Sequence, residues 1–185
     1  MTVATNTLLF MTARAEHSES ALDTTSDRRR VEELFVRLEV RLTNVVYRWL
    51  WNREEVRDII QEAFVRLWLM RERVDWERAE PLVYRIALNL ASKRRRWSRV
   101  WQFVAFADRE AETEPDADPA RDEAVRQAID ALPDRHRRVL VMTMHSEMTY
   151  DEIGEVLGIS AGTVASRRHT AIHKLRGMLK RGSDD

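Results

Sequence analysis

Two groups of side chains in this sequence have types and spacings suited to holding nucleic acid. Between Ser92 and Trp101 stand Lys93, Arg94, Arg95, Arg96 and Arg99, with no acid among them. Tyr84, Trp97 and Trp101 lie around that cluster. Cations that follow a phosphate backbone, interleaved with rings on which unstacked bases rest, make a platform for single strands. Asn89, one helical turn earlier, offers both a donor and an acceptor to a base edge. The same residues read equally well as packing tryptophans and solvated arginines.

The second group is more specific. Thr149-Tyr150-Asp151-Glu152 is a capping box, in which the Thr149 hydroxyl accepts from the Glu152 N–H and the Glu152 side chain answers back. Ile153, Val156 and Leu157 give that helix a buried face, and Gly154 is small where two crossing helices must approach closely. Gly158 supplies a left-handed helix end, Ile159 is expected to plug the turn, and Ser160 caps a second helix. That helix buries Val164, Ala171, Leu175 and Met178 and turns Thr163, Ser166, Arg167, His169 and Thr170 outward. A short helix, a glycine turn and a second helix with a polar, basic face is the DNA-reading helix-turn-helix. Arg167, Lys174 and Arg176 suit phosphates, and Ser166, His169 and Thr170 suit base edges. A plain helical hairpin is the competing interpretation.

A third surface is acidic and apolar: Asp58, Gln61 and Glu62 beside Ile59, Phe64 and Trp68. Taken alone, it reads as a solvated helix face. Metal chemistry finds little support, because His169 and His173 stand four apart on one helix with no third ligand near them, and there is no cysteine. A helical-bundle metalloenzyme therefore lacks a ligand set, and no cofactor is expected.

The elements that must position these residues follow from composition and periodicity. The chain has 185 residues and a formal net charge of zero, with 34 % charged and 44 % hydrophobic residues. A core is therefore available, and no apolar run approaches the roughly 20 residues of a membrane span. The apolar segment Thr7–Met11 is too short for a secretory signal and has no basic flank. Five Gly and four Pro suit long helices better than many strands. This composition reads as cytoplasmic, soluble and mostly helical. Zero net charge hides an uneven layout: an acidic tract, Asp108 to Glu123, separates basic patches at Ser92–Trp101 and Ser160–Gly182.

Met1 to Asp27 shows no sustained period and reads as a disordered tail, in which Met11 is a second candidate start. From Arg28, Val31, Leu34, Phe35, Leu38, Leu42, Val45, Val46, Trp49 and Leu50 form one helical stripe. Val56, Ile59, Ile60, Ala63, Phe64, Leu67 and Trp68 form the next, and a charged loop at Val74–Glu80 carries Trp76. A third helix opens near Pro81, is expected to bury Leu82, Ile86 and Leu90, and runs into the basic cluster. The expected architecture is all-α: a tail (1–27), a helical domain (28–102), a flexible acidic linker (103–119) and a helix-turn-helix domain (120–181).

The residues also resemble a family. Asp58-Ile-Ile-Gln61-Glu62-Ala-Phe64-Val-Arg-Leu67-Trp68, followed by Tyr84-Arg85-Ile86-Ala87-Leu-Asn89-Leu90-Ala91, resembles the second conserved region of bacterial sigma factors. Ala131-Leu132-Pro133-Asp134-Arg135-His136-Arg137-Arg138-Val139-Leu140 and Tyr150–Val164 resemble the fourth. With no first or third region, the resemblance is to the extracytoplasmic-function (ECF) group. It implies a promoter-specificity subunit of RNA polymerase that performs no catalysis. Asp58, Gln61, Glu62, Phe64 and Trp68 would dock on the clamp of the largest polymerase subunit. Trp76, Tyr84, Arg85, Asn89, Lys93, Arg94, Arg96 and Trp97 would engage the −10 element. Thr163, Ser166, Arg167, His169, Thr170 and Lys174 would read the −35 element, with the second domain on the flap of the second-largest subunit. An anti-sigma protein would hold the factor inactive. The pattern departs at Ala165 and Thr170, uncharged where the family carries basic residues, and at Arg168, where it is commonly apolar. Read without the resemblance, the helix-turn-helix also fits an autonomous transcriptional regulator.

Overall fold

The computed structural model describes residues 21–104 and 119–181, with side chains described for 25–97 and 123–180. Among them there are seven α-helices and no strand. The chain divides into two compact units, Met1–Ala107 and Asp108–Asp185. The acidic linker and most of the tail lie outside the described residues.

The first unit contains α1 (Ala21–Leu50), α2 (Arg53–Leu69) and α3 (Ala79–Val104), with two short 3₁₀ turns, Arg71–Arg73 and Trp76–Arg78, between α2 and α3. Helix α1 starts at Ala21, so the helical pattern begins before Arg28 and takes in the end of the expected tail. Every residue of the α1 and α2 stripes read from periodicity is buried. Burial of each large apolar side chain contributes about 1.5–3 kcal/mol.

Helix α1 ends at Leu50 because Trp51 takes a left-handed conformation, φ 57°, and its N–H donates to the Tyr47 carbonyl at 2.7 Å. A bulky residue there costs about 1–2 kcal/mol. Packing holds it in place: Trp51 is buried, edge-on to Tyr47 and covered by Arg48. Asn52 then caps α2 by accepting from the Glu55 N–H.

Helix α3 departs from expectation. It buries Val83, Tyr84, Ala87, Leu88, Leu90 and Ala91, whereas Leu82 and Ile86 are only half-buried. Arg85 and Asn89 mark the outward side of this stretch, and the arc opposite them, on which Leu82 and Ile86 do not lie, is the buried one. Packing against both α1 and α2 covers that arc.

The second unit contains α4 (Pro119–Asp130), α5 (Asp134–His145), α6 (Tyr150–Leu157) and α7 (Ala161–Arg181). Leu132, Leu140 and Ala171 form its core, with Ile172, Leu175 and Met178 packed against them. Pro133 stops the α4 segment, and its carbonyl accepts the first N–H groups of α5, from His136 and Arg137.

Candidate nucleic-acid and polymerase interfaces

On α2, Asp58 and Glu62 are exposed and Gln61 is half-buried, one helical turn apart on one edge. Phe64 and Trp68 are not part of that surface. Phe64 is fully buried with its ring edge-on to Phe35 at 5.0 Å, and Trp68 is buried under the Arg71 guanidinium. Both rings belong to the inward stripe, so they hold α2 in place and present nothing to a partner.

The basic run on α3 splits by helical phase. Arg85, Asn89, Lys93 and Arg96 are exposed and recur at spacings of four, four and three, so they line one face, with Trp97 beside them at 56 % exposure. Arg94 points elsewhere: its guanidinium lies 3.9 Å from Glu55 and 3.8 Å from Asp58, over the acidic edge of α2. Arg95 turns toward α1, donating to the Trp49 carbonyl at 3.3 Å and covering the Trp49 ring. Tyr84 is corrected outright. At 0 % exposure it is core, and no base can stack on it. Trp76 is half-buried in its 3₁₀ turn, with the Arg30 guanidinium 5.6 Å from its ring centre. The side chain of Trp101 lies outside the described residues.

In the second unit the helix-turn-helix forms as its residues dictate. The Thr149 N–H donates to Glu152 at 2.7 Å and the Glu152 N–H donates to the Thr149 hydroxyl at 3.3 Å. The Thr149 hydroxyl also donates to the Glu152 carboxylate at 2.7 Å, and that bond first, then the one from the Thr149 N–H, holds the carboxyl below the usual carboxylate range. Gly158 sits at φ 66°, ending α6. Gly154 shows why glycine is needed: a Cβ there would lie 2.5 Å from the Ile159 carbonyl oxygen. Ile159 itself is half-buried rather than fully enclosed. The Ser160 hydroxyl accepts from the Thr163 N–H and caps α7.

Helix α7 buries Val164 and Ala171. Ser166, His169 and Lys174 are exposed, and Thr163, Arg167 and Thr170 are half-exposed beside them. The Ser166 hydroxyl donates to the Thr163 carbonyl and the Thr170 hydroxyl to the Ser166 carbonyl, which leaves oxygen lone pairs facing out. Arg168 is half-buried, consistent with a packed stem and a solvated head.

One feature has no counterpart in the sequence patterns. Arg137 is completely buried, its two terminal nitrogens donating to Asp130 at 2.7 Å and Asp134 at 2.8 Å. It fastens the end of α4 to the start of α5. In sequence it stands among four consecutive basic or imidazole side chains, and only the two aspartates at −7 and −3 hint at its partners. Its neighbour His136 is also buried. Burial first, then the charges of Arg135, Lys174 and Arg167, hold the imidazole below the usual histidine range. Among the described residues no group of His, Asp or Glu is arranged to hold a metal. No described helix is long and apolar enough to cross a membrane.

A helix-turn-helix in one unit and an exposed basic–aromatic helix face in the other define a two-part DNA-binding protein. Residues 34–99 match the family Sigma-70 region 2 and residues 128–177 match Sigma-70, region 4. The chain is 30 % identical over 156 residues to the ECF RNA polymerase sigma factor SigW of Bacillus subtilis, covering 76 % of this chain and 83 % of that one. It is 30 % identical over 155 residues to the RNA polymerase sigma factor CarQ of Myxococcus xanthus, covering 80 % and 88 %. In fold it is similar to CnrH, solved in complex with the cytosolic domain of CnrY (TM-score 0.64, 22 % identity, 97 % and 98 % covered). It is also similar to the sigma factor RpoE of Bartonella quintana, solved with the anti-sigma factor NepR (TM-score 0.65, 19 % identity, 80 % and 95 % covered). The chain belongs to the ECF sigma factors of RNA polymerase, which are non-catalytic transcription initiation factors.

Proposed function

We propose that this chain is an alternative sigma factor that binds core RNA polymerase, carries it to promoters by reading the −35 and −10 elements, and helps open the −10 DNA. The observation that carries this reading is the separation of labour on α3. Arg85, Asn89, Lys93, Arg96 and Trp97 share one exposed face, apart from the acidic edge of α2. Cations and an exposed ring on one helix suit a melted strand.

In this reading the acidic edge of Asp58, Gln61 and Glu62 docks on the clamp of the largest subunit. Trp76 borders the −10 face from its turn, positioned by Arg30. In the second unit, α7 enters the major groove with Ser166, His169 and Thr170 toward base edges and Arg167 and Lys174 toward phosphates. Thr163 faces the DNA at the start of α7, and the unit rests on the flap of the second-largest subunit. An anti-sigma protein is the regulatory partner, as in the solved complex of the Bartonella quintana relative. The working location is the cytoplasm, where the polymerase is, and the chain needs no small-molecule substrate or cofactor.

The test is competition for purified core RNA polymerase against a primary sigma factor, followed by promoter opening. Displacement and opening at a defined subset of promoters are expected. A folded chain that fails to bind core, yet binds duplex operators specifically as a dimer, overturns the reading.

A further inference from the structure

Helix α1 carries an apolar stripe on the side turned away from its core. Val36 and Val40 are 76 % and 70 % exposed, the highest values of any large apolar side chain among the described residues. They stand one turn apart on one face, and the half-buried Thr43 and Tyr47 continue it at the 4-3-4 spacing of a helix-packing seam. Helix propensity does not call for valine at those positions, since β-branched residues are weaker helix formers than the charged residues around them. The charges beside the stripe are taken within the unit, Arg29 by Glu33, and Arg37 and Arg41 by Glu80. What α1 presents there is neutral and apolar.

A segment of matching chemistry precedes the same helix. Residues 1–13 hold no charged side chain, and Leu8-Leu9-Phe10-Met11 ends ten residues before α1 begins at Ala21. We propose that this segment folds back along α1 in extended form and covers the stripe, with Phe10 on Val36 and Leu8 on Val40. The length suffices: Ala21 to Val36 is about 22 Å along the helix axis, and the chain from Phe10 to Ala21 spans up to about 36 Å. A helical tail would reach back only about 16 Å. The period also matches. Alternate residues of an extended chain are about 6.6 Å apart on one side, and Val36 and Val40 are about 6 Å apart along α1.

The size of the stripe selects this occupant over a second copy of the chain. A stable pair of proteins buries roughly 1,200 Å² or more, and a strip two valines long offers a fraction of that. A tethered segment acts at an effective concentration of about millimolar, so a contact too small to hold a free partner can hold the tail.

The chain has no cysteine, so introduced thiol pairs report the contact in the full-length protein. Asn6→Cys, in register beyond Leu8, is combined either with Asn44→Cys, one turn past Val40, or with Arg29→Cys, near the start of α1. Asn44 and Arg29 are both exposed. Disulfide formation is followed in a glutathione buffer at several protein concentrations. A tail docked nowhere has a root-mean-square reach of about 20 Å from Ala21, which takes in Arg29 at about 12 Å and not Asn44 at about 34 Å. We expect the opposite order: the internal bond forms faster with Asn44→Cys than with Arg29→Cys, at a rate independent of protein concentration. Adding Phe10→Ser or Val36→Ser, both outside the core, should abolish that preference. Faster pairing with Arg29→Cys, no internal bond with Asn44→Cys, or a preference that survives Phe10→Ser overturns the proposal. A disulfide-linked dimer in place of the internal bond overturns it as well and gives the stripe to a second copy. The contact needs neither polymerase nor DNA, so its test is separate from that of the sigma reading.

Discussion

Two glycines of the second unit should respond to the same substitution with opposite signs. Gly154→Ala places a Cβ 2.5 Å from the Ile159 carbonyl oxygen and 3.5 Å from the Ala161 nitrogen. The obstacle is main chain and cannot swing away, so the overpacking cost belongs at the upper end of about 1–3 kcal/mol. Alanine returns about 1 kcal/mol of helix propensity, leaving a net loss of about 2 kcal/mol. Gly177, inside α7, has nothing within 4 Å of its added Cβ. There the propensity gain stands alone, about 1 kcal/mol of stabilisation. For a domain of this size 1 kcal/mol moves Tm by roughly 4–8 °C. The expected shifts are thus about −8 to −16 °C for Gly154→Ala and about +4 to +8 °C for Gly177→Ala.

The sequence itself supplies a way to see them. All six tryptophans (Trp49, Trp51, Trp68, Trp76, Trp97 and Trp101) belong to the first unit. Tryptophan fluorescence therefore follows that unit, whereas circular dichroism at the helix band follows both. The two substitutions should move a dichroism transition and leave the fluorescence transition in place. If Gly154→Ala raised the dichroism midpoint as Gly177→Ala does, the close approach of α6 to the entry of α7 would be wrong.

Arg137→Ala should cost about 2–3 kcal/mol in the same dichroism transition: two charged hydrogen bonds are lost, but both aspartates retain solvent. Arg137→Lys should recover only part of that, having one point charge for two acceptors. His136 sets a pH dependence. Its folded-state protonation lies below the usual range, so its contribution is intact above about pH 6.5 and declines as pH falls below that, because the unfolded chain binds the proton more readily. His136→Gln should remove this decline from melting curves. A separate loss should begin as pH falls through the usual carboxylate range and continue below it, where Glu123 and Glu152 give up the hydrogen bonds that hold them ionised. Lys93→Ala and Arg96→Ala should slow promoter opening with core affinity unchanged, whereas Arg94→Ala should alter core affinity, since its contacts are Glu55 and Asp58; competition and opening assays on the same variants decide this. Ser166→Ala or His169→Ala should reorder −35 variants by about 1–3 kcal/mol per lost base contact; an unchanged ranking means those side chains do not read bases.

Helices with a single apolar face are legible from their residues alone. The stripes of α1 and α2 are inward residue by residue, and the capping box, Gly158 and Ser160 sit where local hydrogen bonding demands. Tyr84 lies about a hundred degrees round the helix from the exposed Arg85, so its ring belongs to the core. What periodicity does not resolve is phase where charged residues run all round a helix: Lys93–Arg96 is a run of four cations whose directions differ by about a hundred degrees each. Phe64 and Trp68 admit two readings, core stripe and docking surface, and burial decides for the first. Arg137 stays hidden for a different reason: a buried arginine is defined by its acceptors, and acceptors on another helix leave no local period.

The division of the α3 run has a consequence for how transcription from this factor's promoters responds to salt. Each phosphate neutralised by a protein cation releases condensed counterions, and for single strands log K falls with log salt at about 0.7 per contact. Four consecutive cations would suggest a slope of about −2.8 from Lys93 to Arg96. With Arg94 over the α2 carboxylates and Arg95 bound to the end of α1, two are left facing outward, and the contribution drops to about −1.4. Half of the charge written into that stretch is turned toward the protein's own acceptors, so in the proposed contact with a melted strand its grip should loosen less with added salt than its composition suggests.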